Sequence, residues 1–264
     1  MYAFDYHRPA TVRDAQGLLK DGARPLAGGQ TLIPTLKLRL ANPPAVVDLG
    51  AIAELRGIEQ SGGALVIGAM ASHAAVAESK AVRSALPGLA ALAEGIGDPH
   101  VRNAGTIGGS VANNDPAGDY AAAVLALGAT VVTSKREIAA DQFFNGLFTT
   151  VLDEDEIITR LSFPLGAKFA YAKFANPASR YALVGVAVAQ RGGEVRVAVT
   201  GAGASGVFRV TAMEAALAKS FAPGAIDGIN VDASGLMSDL HADAVYRANL
   251  VAVMAKRAVA AAST

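Results

Sequence analysis

Between residues 103 and 120 the chain reads NAGTIGGSVANNDPAGDY, a stretch without histidine, cysteine or lysine. It gathers Thr106, the Gly108–Gly109 pair, Asn113, Asn114, Asp115 and Asp119, so it offers backbone N–H groups and small polar side chains. Such a loop suits gripping something polyanionic or polyhydroxylated better than attacking a bond. A second glycine turn, AGGQT, fills residues 27–31, and the first is centred on GTIGG at 105–109. Each can present consecutive N–H groups to an anion, and a Cβ would block the close approach of backbone to a phosphate. From the residues alone, such turns either bind phosphate or merely reverse the chain, and both readings stay open.

Other chemistries find little support. There is no cysteine, so disulfides, thiol catalysis and thiolate ligands for an iron–sulfur cluster or zinc are excluded. Histidine occurs only at 7, 73, 100 and 241, with no i,i+4 pair, and no metal site is expected within this chain. Gly201, Gly203 and Gly206 form G-x-G-x-x-G after a strand, but VFRVT delays the helix and APGAIDGINVD makes a poor next strand. A turn is therefore expected there, not a nicotinamide site. Formal net charge is zero, which gives no basic footprint for nucleic acid. Residues are 52% hydrophobic and 17% charged, which predicts a folded core and a charge-poor surface partly covered by partner subunits.

The elements that must position these residues follow from spacing. Residues 10–22 predict a helix capped by Thr11 and stopped by Gly22, and RPLAGG a short strand ending in the first glycine turn. TLIPTLKLRL predicts a helix capped by Thr31 with Pro34 in its first turn, where the missing N–H costs nothing. AVVDLG (45–50) completes a βαβ-like opening. A hairpin around residues 61–63, helices near 72–80 and 87–95, the 103–120 loop and the helix AAAVLALG come next. ATVVTSKREIAA predicts a strand or hairpin, and LDEDE (152–156) caps a turn before a strand closed by Pro164. Beyond it, strands KFAYAKFA, YALVGVAVAQ and EVRVAVTGAG precede two amphipathic helices, a separate α+β domain. The expected division is 1–165, with parts of about 1–56 and 57–165, and then 166–264. The longest apolar run, 120–133, is too short to span a bilayer and fits a buried helix passing into a strand. Charges and a proline stand near the N-terminus where a signal peptide needs an apolar stretch, so the expected compartment is the cytoplasm.

LAGGQTLIPTLKLRL, followed further on by VRNAGTIGGSVANNDPAGDYAAAVLALGA, resembles the FAD-binding middle subunit of the molybdenum hydroxylases. Xanthine dehydrogenase and aerobic carbon monoxide dehydrogenase are familiar members. The similarity covers nearly the whole chain, and the two motifs in this order are specific where either alone is not. The resemblance implies an α+β fold: a two-part FAD-binding domain of the vanillyl-alcohol-oxidase (PCMH) type, then a small α+β C-terminal domain. By this resemblance, Leu26, Ala27, Gly28, Gly29, Gln30, Thr31, Leu32 and Ile33 cradle the FAD pyrophosphate from one side. Val101, Gly105, Thr106, Ile107, Gly108, Gly109 and Ser110 close it from the other, with N–H groups and two hydroxyls. Asp119 would accept from ribityl hydroxyls, a role compatible with capping the next helix. Asn113, Asn114 and Asp115 would line the same loop, and Asp115 reads equally as turn chemistry. Lys173 would approach the cofactor and Tyr181 lie over the flavin face, against the plainer readings of a solvated lysine and a core tyrosine. Ile96 and Ile158 match positions where an apolar side chain touches FAD, although core packing explains them better.

The same resemblance implies a division of labour in which this chain supplies no catalytic acid, base or metal. Molybdopterin would sit on a large partner subunit and iron–sulfur clusters on a small one, in a dimer of three-chain units. Electrons would reach FAD here and leave to an external acceptor. A self-sufficient FAD-dependent oxidoreductase on the same fold is the competing reading. A nicotinamide-binding protein and a non-catalytic assembly protein are the remaining two.

Overall fold

The computed structural model describes residues 1–263. The chain opens with β1 (Asp5–His7), α1 (Val12–Leu18), β2 (Arg24–Leu26), α2 (Leu32–Lys37) and β3 (Ala45–Asp48). The three strands pair in parallel in the order β1-β3-β2, so β2-α2-β3 is the expected βαβ unit and β1 an unforeseen third strand. Thr11 caps α1 as expected, its hydroxyl accepting from the Asp14 N–H at 3.1 Å. Ala15, Leu19, Val47, Ile52 and Leu55 form the small core behind this sheet. Pro34 lies in the first turn of α2, but Thr31 makes no side-chain cap.

The next part holds β4 (Ile58–Ser61), β5 (Ala64–Gly68), α3 (His73–Glu78), α4 (Lys80–Ala85), α5 (Pro87–Glu94), α6 (Pro99–Ala104), α7 (Ile107–Asn113) and α8 (Asp119–Ala126). It continues with β6 (Thr130–Thr133), β7 (Glu137–Ala139), α9 (Ala140–Phe143) and β8 (Ile158–Pro164). The strands make an antiparallel sheet, β4-β5-β8-β6-β7. Leu65, Ile67, Leu161 and Phe163 meet Leu89, Ile107 and Tyr120 from the helices in the largest core. Two expectations need correcting here. The helix expected near 72–80 is α3, which already ends at Glu78, and an unforeseen helix, α4, follows it; each is started by a serine hydroxyl (Ser72, Ser79) that accepts an N–H three residues on. The 103–120 stretch is mostly helical, because Thr106 caps α7 by accepting from the Gly109 N–H, and Asn114 ends it in the left-handed region (φ 43°). Two glycines in one short helix cost about 1 kcal/mol each against alanine. Tertiary packing offsets that, and composition alone does not reveal it.

The last part contains β9 (Lys168–Ala175), β10 (Ala182–Arg191), β11 (Glu194–Thr200), β12 (Phe208–Arg209), α10 (Thr211–Lys219) and α11 (Ala244–Ser263). Its antiparallel sheet runs β12-β11-β10-β9. The antiparallel β12 after Gly201, Gly203 and Gly206 shows that this glycine pattern turns the chain and opens no dinucleotide fold. Both faces of β10 are buried. Val184, Val186 and Val188 face α10 and α11, whereas Ala187 and Ala189 join the core of the preceding part. Small residues alternate with valines because α8 lies close against one face. The fold is α+β throughout, a two-part domain of the expected type with a C-terminal sheet-and-helix layer packed on it.

Candidate functional site

The loop after β2 brings the first glycine turn against the second. A Cβ on Gly28 would run into the Ala104 carbonyl oxygen and lie 2.6 Å from the Gly105 Cα. A Cβ on Gly109 would lie 2.8 Å from the Thr106 hydroxyl and 3.3 Å from the Ala27 Cβ. Only glycine permits this contact between loops that are far apart in sequence. Gly29 adopts φ +71°, with Ile33 and Leu26 packed against its Cα, and the Gln30 side chain donates back to the Gly28 carbonyl. The backbone N–H groups of Gly28, Gly29, Gln30, Thr31 and Leu32 have no protein acceptor among the described residues. Nor do the hydroxyls of Thr31 and Ser110 or the side chain of Asn113 have a partner there. A run of free donors on a surface loop is a ready binding site for phosphate oxygens, which accept from it.

A buried charge cluster forms at the start of α8. Asp119, the first residue of α8, is only 5% exposed. Its carboxylate accepts from the Tyr171 hydroxyl at 2.5 Å and pairs with the Lys173 ammonium at 3.1 Å. Burial pushes the Asp119 carboxyl upward, and Lys173 and Tyr171 counter that by favouring the ionised form. The Lys173 side chain is 11% exposed and also donates to the Gly95 carbonyl at 2.9 Å, so it is not a solvated lysine. Tyr181 is 47% exposed and is not a core tyrosine. Burial and the charges of Asp115 and Asp119 raise its hydroxyl. Arg102 donates to the carbonyls of Ile96 and Gly97, and Arg180 also bonds that of Gly97. Three cations thus hold the 95–97 turn in which Ile96 sits.

The chain as a whole has counterparts among known proteins. Residues 2–166 match the family described as FAD binding domain in molybdopterin dehydrogenase. The chain belongs to that family. It is 35% identical to the carbon monoxide dehydrogenase medium chain of Hydrogenophaga pseudoflava, over 98% of this chain and 96% of that one. It is 36% identical to the nicotine 6-hydroxylase medium subunit of Paenarthrobacter nicotinovorans, over 97% and 96%. A solved structure of carbon monoxide dehydrogenase from Hydrogenophaga pseudoflava superposes with TM-score 0.89, covering 99% of this chain and 98% of that one at 36% identity.

The residues present fit the cofactor of an FAD-binding oxidoreductase subunit. The five free N–H groups suit a pyrophosphate, and Gly28 and Gly109 let the two loops close on each other where a Cβ would hold them apart. Asp119 is not a helix cap: Gly118 holds that position without a side-chain bond, and the carboxylate turns to β9 instead. The protein itself engages several of the groups expected at the cofactor. The N–H groups of Ile107 and Gly108 donate to the Ala71 and Ala69 carbonyls, and those of Gly109 and Ser110 to the Thr106 side chain and carbonyl. They are engaged internally, so this side of the cradle has hydroxyls to offer rather than a row of N–H groups. Gly108 packs on Ala69, where an added Cβ would come within 2.8 Å of backbone. Asn114 is buried, and its amide donates to the Gly146 and Thr149 carbonyls, holding that loop rather than a ligand. Asp115 accepts from the Ala117 N–H, which is ordinary turn chemistry. Ile158 is sealed in the sheet core and Val101 packs on Gly97. Tyr171 was not foreseen. The one available signal was its place two residues before Lys173, which puts both on one face of a strand.

Proposed function

We propose that this chain is the FAD-carrying relay of a three-subunit molybdenum hydroxylase. Electrons from iron–sulfur clusters on a small partner subunit reach FAD here and pass to an external acceptor. The observation that carries this reading is the pairing of a free-donor cradle with the buried Asp119–Lys173–Tyr171 cluster. Gly28 to Leu32 would hold the pyrophosphate, with the Thr31 and Ser110 hydroxyls supplementing them. Asp119 would accept from ribityl hydroxyls, and the exposed Tyr181 is free to lie against the ring. FAD, when bound, takes electrons singly and releases them in pairs, which suits a junction between clusters and a two-electron acceptor. The chain's own work is then to bind, orient and shield.

The relatives' names support the partners: carbon monoxide dehydrogenase medium chain and nicotine 6-hydroxylase medium subunit both denote one chain of several. They name different substrates, which fits a substrate pocket on the large molybdopterin subunit. A dimer of heterotrimers in the cytoplasm is the proposed assembly. The residue division at about 165 is proposed with it. The purified chain should bind FAD and release it on acid precipitation. It should oxidise no organic substrate until the iron–sulfur and molybdopterin subunits are added. Sustained turnover by the single chain would establish the self-sufficient flavoenzyme instead.

A further inference from the structure

Asp119 can serve a flavin only if it stays an ionised acceptor aimed out of a nearly dry site, and the residue best placed to ensure this comes from the C-terminal sheet. Tyr171 stands on β9 opposite Ala187 of β10, and Lys173 opposite Gly185. Both point towards α8. A side chain at position 185 would collide with the Tyr171 hydroxyl, its Cβ lying 2.7 Å from Cζ. Gly185 therefore leaves a slot across which the phenol leans to reach Asp119. Thr200 of β11 borders the slot, and its hydroxyl lies 2.9 Å from both the Pro116 and Gly118 carbonyls, between which its one proton is shared, fixing the turn from which α8 starts. Strand and helix end are thus tied at two points.

We infer that Tyr171, through the slot at Gly185, is a positioning residue that holds Asp119 ionised and oriented for the flavin. The inference rests on the proposed FAD site. A carboxylate is acceptor-only when ionised, whereas a protonated one donates from one oxygen and accepts less well. The short O–H···O contact occupies one lone pair of one oxygen and leaves others for ribityl hydroxyls. Lys173 supplies charge but divides its donors between Asp119 and the Gly95 carbonyl, so it does not fix the carboxylate's rotation alone. The remaining ionisable neighbours are otherwise placed. Tyr120, on α8 itself, packs its ring on His73 of α3. Asp115 is turned to the Ala117 N–H, and Tyr181 lies on the exposed side. From β11 and β12, packed against α8, Arg196 and Arg209 bond Asp141 of α9, and Arg209 also bonds Glu214 of α10. The sole titratable residue of α5, Glu94, is exposed, and α7 has none.

The test is FAD binding to the flavin-stripped full chain, read by quenching of flavin fluorescence between about pH 5.5 and pH 8, with Tm measured alongside. Tyr171→Phe should weaken FAD binding about tenfold at neutral pH and move the acid limb of the binding curve to higher pH. Gly185→Ala, which keeps the phenol but displaces it, should reproduce both effects. With Asp119→Asn in the background there is no carboxyl to titrate, and Tyr171→Phe should then leave the dissociation constant independent of pH. An unchanged pH profile in Tyr171→Phe and Gly185→Ala, with only Tm lowered, would overturn the inference and leave Tyr171 a packing residue. Failure of the unmodified chain to bind FAD would instead overturn the site reading itself.

Discussion

Two adjacent glycines, Gly108 and Gly109, look interchangeable in sequence and have different work in the structure. Gly108 lets α7 lie on Ala69, and a branched side chain there meets backbone that cannot yield. Gly109 faces the other way, towards Thr106 and Ala27, where the two loops of the cradle meet. Gly108→Val should therefore lower the yield and Tm of the protein whether or not FAD is added, since overpacking of this kind costs about 1–3 kcal/mol or more. Gly109→Val should leave a folded chain that retains little flavin, because it parts the loops and crowds the phosphate. Thermal melts and the flavin-to-protein absorbance ratio, taken on both variants, check the assignment. Equal flavin loss at equal Tm would mean that the two glycines share a single role.

At the scale of elements, the acidic run before β8 is more than a cap. Glu156 is buried and accepts from Thr133 at 2.6 Å, from Arg136 at 2.9 and 3.0 Å and from the Asp153 N–H at 3.0 Å. Burial alone would raise its carboxyl, yet these donors outweigh it and hold the value at about 2, against 4.5 unperturbed. Because the folded value is the depressed one, the stabilisation is complete above about pH 4.5 and is lost as pH falls towards about 2, roughly 3 kcal/mol in all. Glu156→Gln should lower stability at neutral pH and flatten its decline over that window, measured by urea unfolding. A variant with the same slope as the parent would show that other carboxylates carry the acid sensitivity. Elements with strong local signals were legible in the sequence: α1 with its Thr11 cap, the β4–β5 hairpin, α8 running into β6, and the long strands β9 to β11. The helix α7 was not, because two glycines and a tail of asparagines and aspartates carry loop chemistry unless one knows that Ala69 waits for Gly108. The cradle's first half was legible as a glycine turn. The internal bonding of its second half was not, since hydrogen bonds to Ala69 and Ala71 depend on a pairing distant in sequence.

At the scale of the whole molecule, the C-terminal layer completes the cluster around Asp119, and under the proposed function it is part of the flavin site and not an appendage. All eight residues of α8 are buried, and Ala187, Ala189 and Ala198 share a core with Leu125, Leu127 and Phe143. Tyr171, Lys173 and Thr200 reach from the same sheet face to the start of that helix. A chain ended near residue 166 would expose the covered side of α8, leave Asp119 without either partner and open an apolar patch of the kind that drives association. Such a fragment should be recovered as aggregates or oligomers by size-exclusion chromatography, and should fail to retain FAD even though both glycine loops are present. That outcome would place residues of the β9–β11 face, besides the glycines, among those on which cofactor binding depends. A monomeric fragment that melts cooperatively and binds FAD as the full chain does would show that the two layers are independent, and that Asp119 needs nothing from beyond residue 166.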